Sequence, residues 1–207
     1  MKNLETEFKW DATLPYAFRK MLMAVRKATK PECISTPVYL TIKDLYLDTP
    51  NKELQKQKIA LRIRNTNGIY EATYKTRSEV KNGKAVRREE TLPLPGIHTF
   101  RVAMKLLSNM KTWQGIPLEG LRPLFEIRNK RIVRAIQVPG ACLELSFDTC
   151  MIAAGDKKTK FKEIELELKN GNEKAMEVFV QEISLGSGLS FSTKSKVKTA
   201  SLLLEGK

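Results

Sequence analysis

Charged and apolar residues alternate strictly along Glu163-Ile164-Glu165-Leu166-Glu167-Leu168-Lys169. That is a β-strand pattern, because successive side chains of a strand point to opposite faces. One face carries Glu163, Glu165, Glu167 and Lys169, the other Ile164, Leu166 and Leu168. Glu5-Thr6-Glu7-Phe8-Lys9 repeats the layout of acid, acid and base near the start of the chain. Further strands are expected over 4–10, 39–47, 59–64, 70–75, 86–94, 124–136 and 141–148. In 59–64, Arg62 and Arg64 oppose Ile59, Leu61 and Ile63; after the Asn67-Gly68 turn, Glu71, Thr73 and Lys75 share a face. The 86–94 segment puts Arg87, Glu89 and Thr91 on one side and Arg88 and Glu90 on the other, and is ambiguous about which side faces inward. Helical spacing appears over 11–30, 52–57 and 99–111. It appears again from the Asn172 cap to 185, where Gly186 stands in the stop position, and over 193–204.

Eight such strands make a mostly antiparallel α+β protein whose helices cover the apolar sheet face. The charged faces then point together, either outward to water or inward to a shared channel. Closing the sheet into a barrel places them in the lumen, where ions or ligand must offset the desolvation of so many charges.

The chain of 207 residues, 42% hydrophobic and 29% charged, reads as one domain spanning 1–207. No apolar run approaches the ~18 residues of a membrane span, and the N-terminus lacks the apolar core of a signal peptide, so a cytoplasmic protein without membrane partners is expected. Cys33, Cys142 and Cys150 show no CxxC spacing, which argues for free thiols rather than a disulfide frame or a zinc site. His98 is the only histidine, and its place at the start of a helix gives it no expected catalytic role. The net charge of +14 predicts an anionic partner. Because the bases are spread through strand-like runs, a polyanion held inside the sheet fits better than nucleic acid lying on a surface.

Several segments together resemble one family. Glu5-Thr6-Glu7-Phe8-Lys9 is similar to the ExExK signature of the CYTH superfamily, the triphosphate tunnel metalloenzymes. Tyr46-Leu47-Asp48-Thr49-Pro50, the strand from Ile59 to Arg64, Thr73-Tyr74-Lys75, Arg87-Arg88-Glu89 and Pro123-Leu124-Phe125 followed by Arg131 resemble its further motifs, in order. Thr193-Lys194 resembles its C-terminal Ser-Lys pair, with Thr in the Ser place, although Lys196-Val197-Lys198 departs from the usual continuation.

The resemblance implies an eight-stranded tunnel that binds triphosphates with Mg²⁺ or Mn²⁺. It implies metal ligation by Glu5, Glu7, Glu165 and Glu167, with Glu163, Asp148, Glu144 and Glu89 behind them. Phosphate contacts are expected from Lys9, Arg62, Arg64, Lys75, Arg87, Arg131 and Lys169, and from Lys194 at the tunnel mouth. Glu5, Glu7, Lys9, Glu165 and Glu167 are the expected catalytic set; Arg88 and Lys130 are expected to point out. The implied reaction is hydrolysis of inorganic triphosphate. Class IV adenylate cyclase chemistry, a non-catalytic polyphosphate-binding module and, more remotely, a nucleic-acid binder are the alternatives. A monomer or a homodimer fits equally.

Overall fold

The computed structural model describes residues 4–76 and 79–205. In chain order its elements are β1 (Leu4–Asp11), α1 (Ala17–Ala28), a 3-10 turn (Pro31–Cys33), β2 (Val38–Asp48), α2 (Glu53–Lys56), β3 (Ile59–Thr66), β4 (Ile69–Thr76), β5 (Glu79–Lys81) and β6 (Lys84–Pro93). There follow α3 (Phe100–Asn109), β7 (Thr112–Trp113), β8 (Ile116–Pro117), β9 (Arg122–Val138), β10 (Ala141–Ala154), β11 (Lys157–Gly171), α4 (Glu173–Ser187) and α5 (Lys196–Leu204).

The order β1-β11-β10-β9-β2-β3-β4-β6 is antiparallel throughout, and β6 pairs back onto β1, closing an eight-stranded barrel. The short β5 pairs with β6 alone. Closure leaves no long unpaired edge for another chain to extend.

The apolar faces turn outward and are covered by helices. α1 and α4 bury Met21, Val25, Met176, Phe179 and Ile183 against Trp10, Leu143, Leu145, Ile164 and Leu166 of the barrel wall. α3 and the β7–β8 hairpin bury Leu107 and Trp113 against Leu61, Ile63 and Ala72. Each fully buried Leu or Ile there contributes about 2 kcal/mol of transfer free energy. A third cluster lies inside. Ala200 of α5, flanked by Val197 and Leu203, packs on Tyr46, Phe125, Ile127 and Ile152, so this helix sits within one end of the barrel.

Element boundaries depart from the sequence expectation at four places. The helix expected over 11–30 begins at Ala17, because Asp11 ends β1 and its carboxylate accepts the Thr13 amide, turning the chain first. Gly186 does not stop α4; it lies inside the helix, and the left-handed residue is Gly188, with φ 63°. The last helix starts at Lys196 behind a Ser195 cap that accepts the Lys198 amide. The strands expected over 141–148 and 163–169 are the paired halves of one long hairpin, turning at Gly155-Asp156. No helix is long and apolar enough to cross a membrane.

Candidate functional site

Register decides which side chains share the lumen. β1 pairs with β11 through Glu7↔Glu167 and Lys9↔Glu165, and with β6 through Glu5↔Arg87. β10 pairs Glu144 with Glu167 and Asp148 with both Glu163 and Arg131. The alternation of charge along each strand is therefore carried round the barrel. The lumen forms a cavity of ≈ 1650 Å³, open to solvent, whose lining includes Glu5, Glu7, Lys9, Arg62, Arg64, Lys75, Arg87, Glu89, Arg131, Glu144, Glu165, Glu167 and Lys169. The open question about β6 is thereby answered: Arg87 and Glu89 line the cavity, while Arg88 sits outside against Glu90 and the Tyr74 ring.

At the acidic heart of the lumen, Asp148, Glu163 and Glu165 bring carboxylate oxygens within 4.8 Å of one another. Like charges at that distance repel strongly in a buried site, and three cations hold them together. Lys9 Nζ lies 2.7 Å from Glu165, 3.3 Å from Glu7 and 3.7 Å from Glu163. Arg131 makes two 2.7 Å hydrogen bonds to Asp148 and donates to Glu165 at 2.6 Å. Lys196, reaching in from the first turn of α5, contacts Glu163, Asp148 (2.8 Å) and Glu165 (3.0 Å).

Burial pushes the Glu163 carboxyl up to about 7, against the pull of Lys196 and Lys9. Burial works on Glu165 too, but Lys196, Lys9 and Arg131 outweigh it and hold that group well below the carboxylate range. Asp148 is likewise brought down to about 2 by Lys196 and Arg131 despite its burial.

A second acid–base group sits further round the wall. Glu5 receives Lys75 at 3.0 Å and Arg87 at 2.6 Å, and these two cations depress its pKa against the effect of burial. Arg87 also reaches Glu7 at 2.6 Å, and Lys75 reaches Glu89 at 2.5 Å. Burial, then Arg87 and Arg62, lower the Lys75 pKa. Opposite them, Arg64 forms a two-pronged pair with Asp44 at 2.7 and 2.8 Å. Arg62 lies 3.6 Å from Asp44 and 3.9 Å from Glu89.

The expected residues thus fall into distinct places. Lys9, Arg131, Asp148, Glu163 and Glu165 converge at one point, with Glu7 beside them. Glu5 belongs to the Lys75–Arg87 group, and Glu167 pairs with Lys169 at 2.9 Å. Lys194 remains on the rim, its side chain 61% exposed and 3.6 Å from Asp11. Asp48 is structural: its carboxylate accepts the amides of Thr49, Leu54 and Gln55 and so fixes the start of α2.

Two residues of the site had not been singled out. Asp44 is legible as the next lumen position two residues before Tyr46. Lys196 is legible as the partner of a genuine Ser-Lys pair, Ser195-Lys196, one step beyond the Thr193-Lys194 pair.

The donor set fits a hard divalent cation. Asp148, Glu163 and Glu165 offer only carboxylate oxygens there, Glu7 adds another beside them across Lys9, and Glu163 Oε1 is buried without a hydrogen-bond partner. Burial raises the pKa of the nearby Cys150 thiol to about 12, which makes it a poor competing ligand. Glu7 Oε1, Asn129 Oδ1 and Arg62 Nε are likewise buried without a hydrogen-bond partner, the last a donor facing the lumen.

The CYTH domain model matches residues 3–201. The chain belongs to the CYTH domain family. A curated relative, an inorganic triphosphatase of Haemophilus influenzae, is 32% identical over 164 residues, which is 79% of this chain and 46% of that protein. This CYTH chain therefore spans about half the length of the relative. Solved structures share the fold. A putative adenylyl cyclase from Hippeastrum, described as having a dominant triphosphatase activity, aligns with TM-score 0.68 at 18% identity over 98% of this chain and 96% of that one. A putative adenylate cyclase from Bacillus halodurans aligns with TM-score 0.58 at 20% identity over 96% of each.

Proposed function

We propose that this CYTH protein hydrolyses triphosphates, inorganic triphosphate first among them, inside the barrel. The observation that carries this reading is the juxtaposition in one closed lumen of a ring of fixed bases with a three-carboxylate cluster that has an unpartnered oxygen. Arg62, Arg64, Lys75, Arg87, Arg131 and Lys9 present guanidinium and ammonium donors suited to phosphate oxygens, Arg as a planar fork and Lys as a point charge. Asp148, Glu163 and Glu165, with Glu7, would hold Mg²⁺ or Mn²⁺. When bound, the ion supplies charge neutralisation at the transferred phosphoryl group and acidifies a water.

The chain's own groups do the rest. The bases fix the triphosphate along the lumen so that its terminal phosphorus lies beside the cluster, and they neutralise charge as the phosphoanhydride bond breaks in line. Glu7 borders the cavity beside the cluster and would take the proton of the attacking water, while Glu165, held well below the carboxylate range, would serve the metal. Lys9 and Lys196 hold those carboxylates in position. The identity of the relative from Haemophilus influenzae supports the same substrate.

The test is phosphate release from tripolyphosphate with Mg²⁺ or Mn²⁺, run beside ATP assayed for cyclic AMP, with Glu7→Ala as control. Metal-dependent release that collapses in the variant is expected. Cyclic AMP with pyrophosphate would replace hydrolysis by cyclisation. Tight binding without turnover of either compound would overturn the enzymatic reading.

A further inference from the structure

The charge excess of the molecule does not reside in the tunnel. Inside the lumen acids and bases come close to cancelling, so the positive excess of the described residues lies on the outside of the barrel. Part of it is concentrated on one uncovered sheet face. The first half of β11 presents Lys158, Lys160 and Lys162 outward, and all three are exposed. Across the sheet, Thr149 stands between Lys162 and Lys130, and Met151 between Lys160 and Arg128, with Lys43 next in that row. The lysines of β11 repeat at about 7 Å along the strand, and Lys162 and Lys130 are two strands, or about 10 Å, apart. Glu126 is the acid of this face, and it serves Lys43 and Arg128. Among the described residues, Lys130, Lys158, Lys160 and Lys162 have no ion-pair partner.

This face continues toward the tunnel. Lys160 and Lys162 line a separate ≈ 410 Å³ cavity with Lys194 and Lys198, four cations against the single acid Asp11, at the N-terminal end of α5. Lys194 and Lys198 also border the lumen. The cationic groups therefore form one track from the outer wall, over the rim, to the mouth.

We propose that this track binds a long inorganic polyphosphate chain. Three features select that ligand among polyanions. The residues between the cations are Thr149, Met151, Ala153 and Thr41, and the exposed ring of Tyr39 stands singly at the margin of the face, beyond Thr41 on β2, so successive bases meet no row of rings such as grips single-stranded nucleic acid. The outside of a closed eight-stranded barrel is convex, which suits a flexible linear chain better than a flat anionic membrane. The track also ends at a lumen whose bases match phosphate oxygens. Only this last point rests on the triphosphate reading of the lumen; binding along the outer face stands independently of it.

The experiment compares the wild type with a variant carrying Lys130→Glu, Lys160→Glu and Lys162→Glu, none of which lines the tunnel. Binding of long-chain polyphosphate is measured by titration across a salt series, and tripolyphosphate turnover is measured in parallel. A melting curve verifies folding, and the corresponding Lys→Gln variant replaces the first if it fails to fold. The variant is expected to bind long-chain polyphosphate at least about tenfold more weakly, with the slope of log affinity against log salt shallower by about two, as the loss of three phosphate contacts requires.

Tripolyphosphate turnover is expected to stay within about twofold, since these exposed charges are screened from the lumen. Unchanged polyphosphate binding in the variant overturns the proposal. So does a single-stranded RNA of equal charge that binds the wild type as tightly as polyphosphate does and is lost with the same substitutions, which would make the track a nucleic-acid surface. Loss of polyphosphate binding in a protein that turns over no tripolyphosphate upholds the outer track and removes the lumen reading alone.

Discussion

At the scale of single residues, Lys196 and Asp44 are the informative positions. Lys196 neutralises the Asp148–Glu163–Glu165 cluster from a helix rather than from the barrel wall. Its replacement in Lys196→Gln leaves buried carboxylates uncompensated, a change worth about 3 kcal/mol in the metal-free protein. Added Mg²⁺ or Mn²⁺ is expected to restore more melting temperature to the variant than to the wild type, and tripolyphosphate turnover to fall about 100-fold, as for a small misplacement of the groups that position the reactants. Lys105→Gln, on the exposed side of α3 and away from the lumen, is the control and leaves both readings unchanged. Asp44→Asn unpins the Arg64 fork and is expected to raise KM for tripolyphosphate more than it lowers kcat, measured by initial rates. Neither residue stood out in the sequence, for a physical reason. The strand alternation that exposes Glu163 to Lys169 is a local periodicity, whereas Lys196 reaches the lumen only because α5 packs on Tyr46, Phe125 and Ile152, a contact between distant segments.

At the scale of elements, periodicity was legible and terminations were less so. Where one strand face meets helices and the other meets charge, as in 59–64 and 163–169, alternation fixes both the strand and its inward side. The exception was Arg87-Arg88-Glu89-Glu90, where both faces are charged and only pairing with β1 decides. Helix ends misled because they depend on single conformations: Gly186 packs against Ala24 inside α4, and Gly188 supplies the left-handed stop. Glycine at the end of β11 is tested directly. Gly171 has φ +101°, and a Cβ there would overlap the Gly140 carbonyl oxygen. Gly155 has φ +58° with open space around it. Gly171→Ala is expected to cost about 2 kcal/mol or more and Gly155→Ala about 1 kcal/mol, read from urea unfolding midpoints.

At the scale of the whole molecule, the buried acids make stability depend on pH in two opposite ways. Glu163 binds its proton up to about pH 7 in the folded state against an ordinary value of 4.5, so its contribution is full below 4.5 and is lost as pH rises through 7. Glu165, Asp148 and Glu5 are shifted down, so their contribution is present above the ordinary carboxylate range and is lost on acidification. In chelator, the melting temperature is expected to rise from acid pH, then decline toward neutrality. Glu163→Gln should abolish the decline and keep the acid-side loss. Metal should erase the decline in the wild type, because it displaces the proton and its apparent affinity grows with pH. Net charge, legible from composition, pointed to an anion, but it does not report that acids and bases balance within the lumen, which the strand register decides.

The pairing of β1 with β11 has a kinetic consequence. Glu7 meets Glu167 across a seam that joins the first strand to the last. On a ribosome β1 emerges early, and it can pair with β6 but must wait for β11 with its other edge open. Contacts so distant in sequence are slow to form, and an unpaired edge is the part of a nascent chain most exposed to misassembly. The Lys9–Glu165 pair of the acidic cluster spans that seam, so the cluster is complete only once β11 has docked on β1. Closure of the seam and assembly of the chemistry are one event, and refolding measured by intrinsic fluorescence should gain activity in step with its slowest phase.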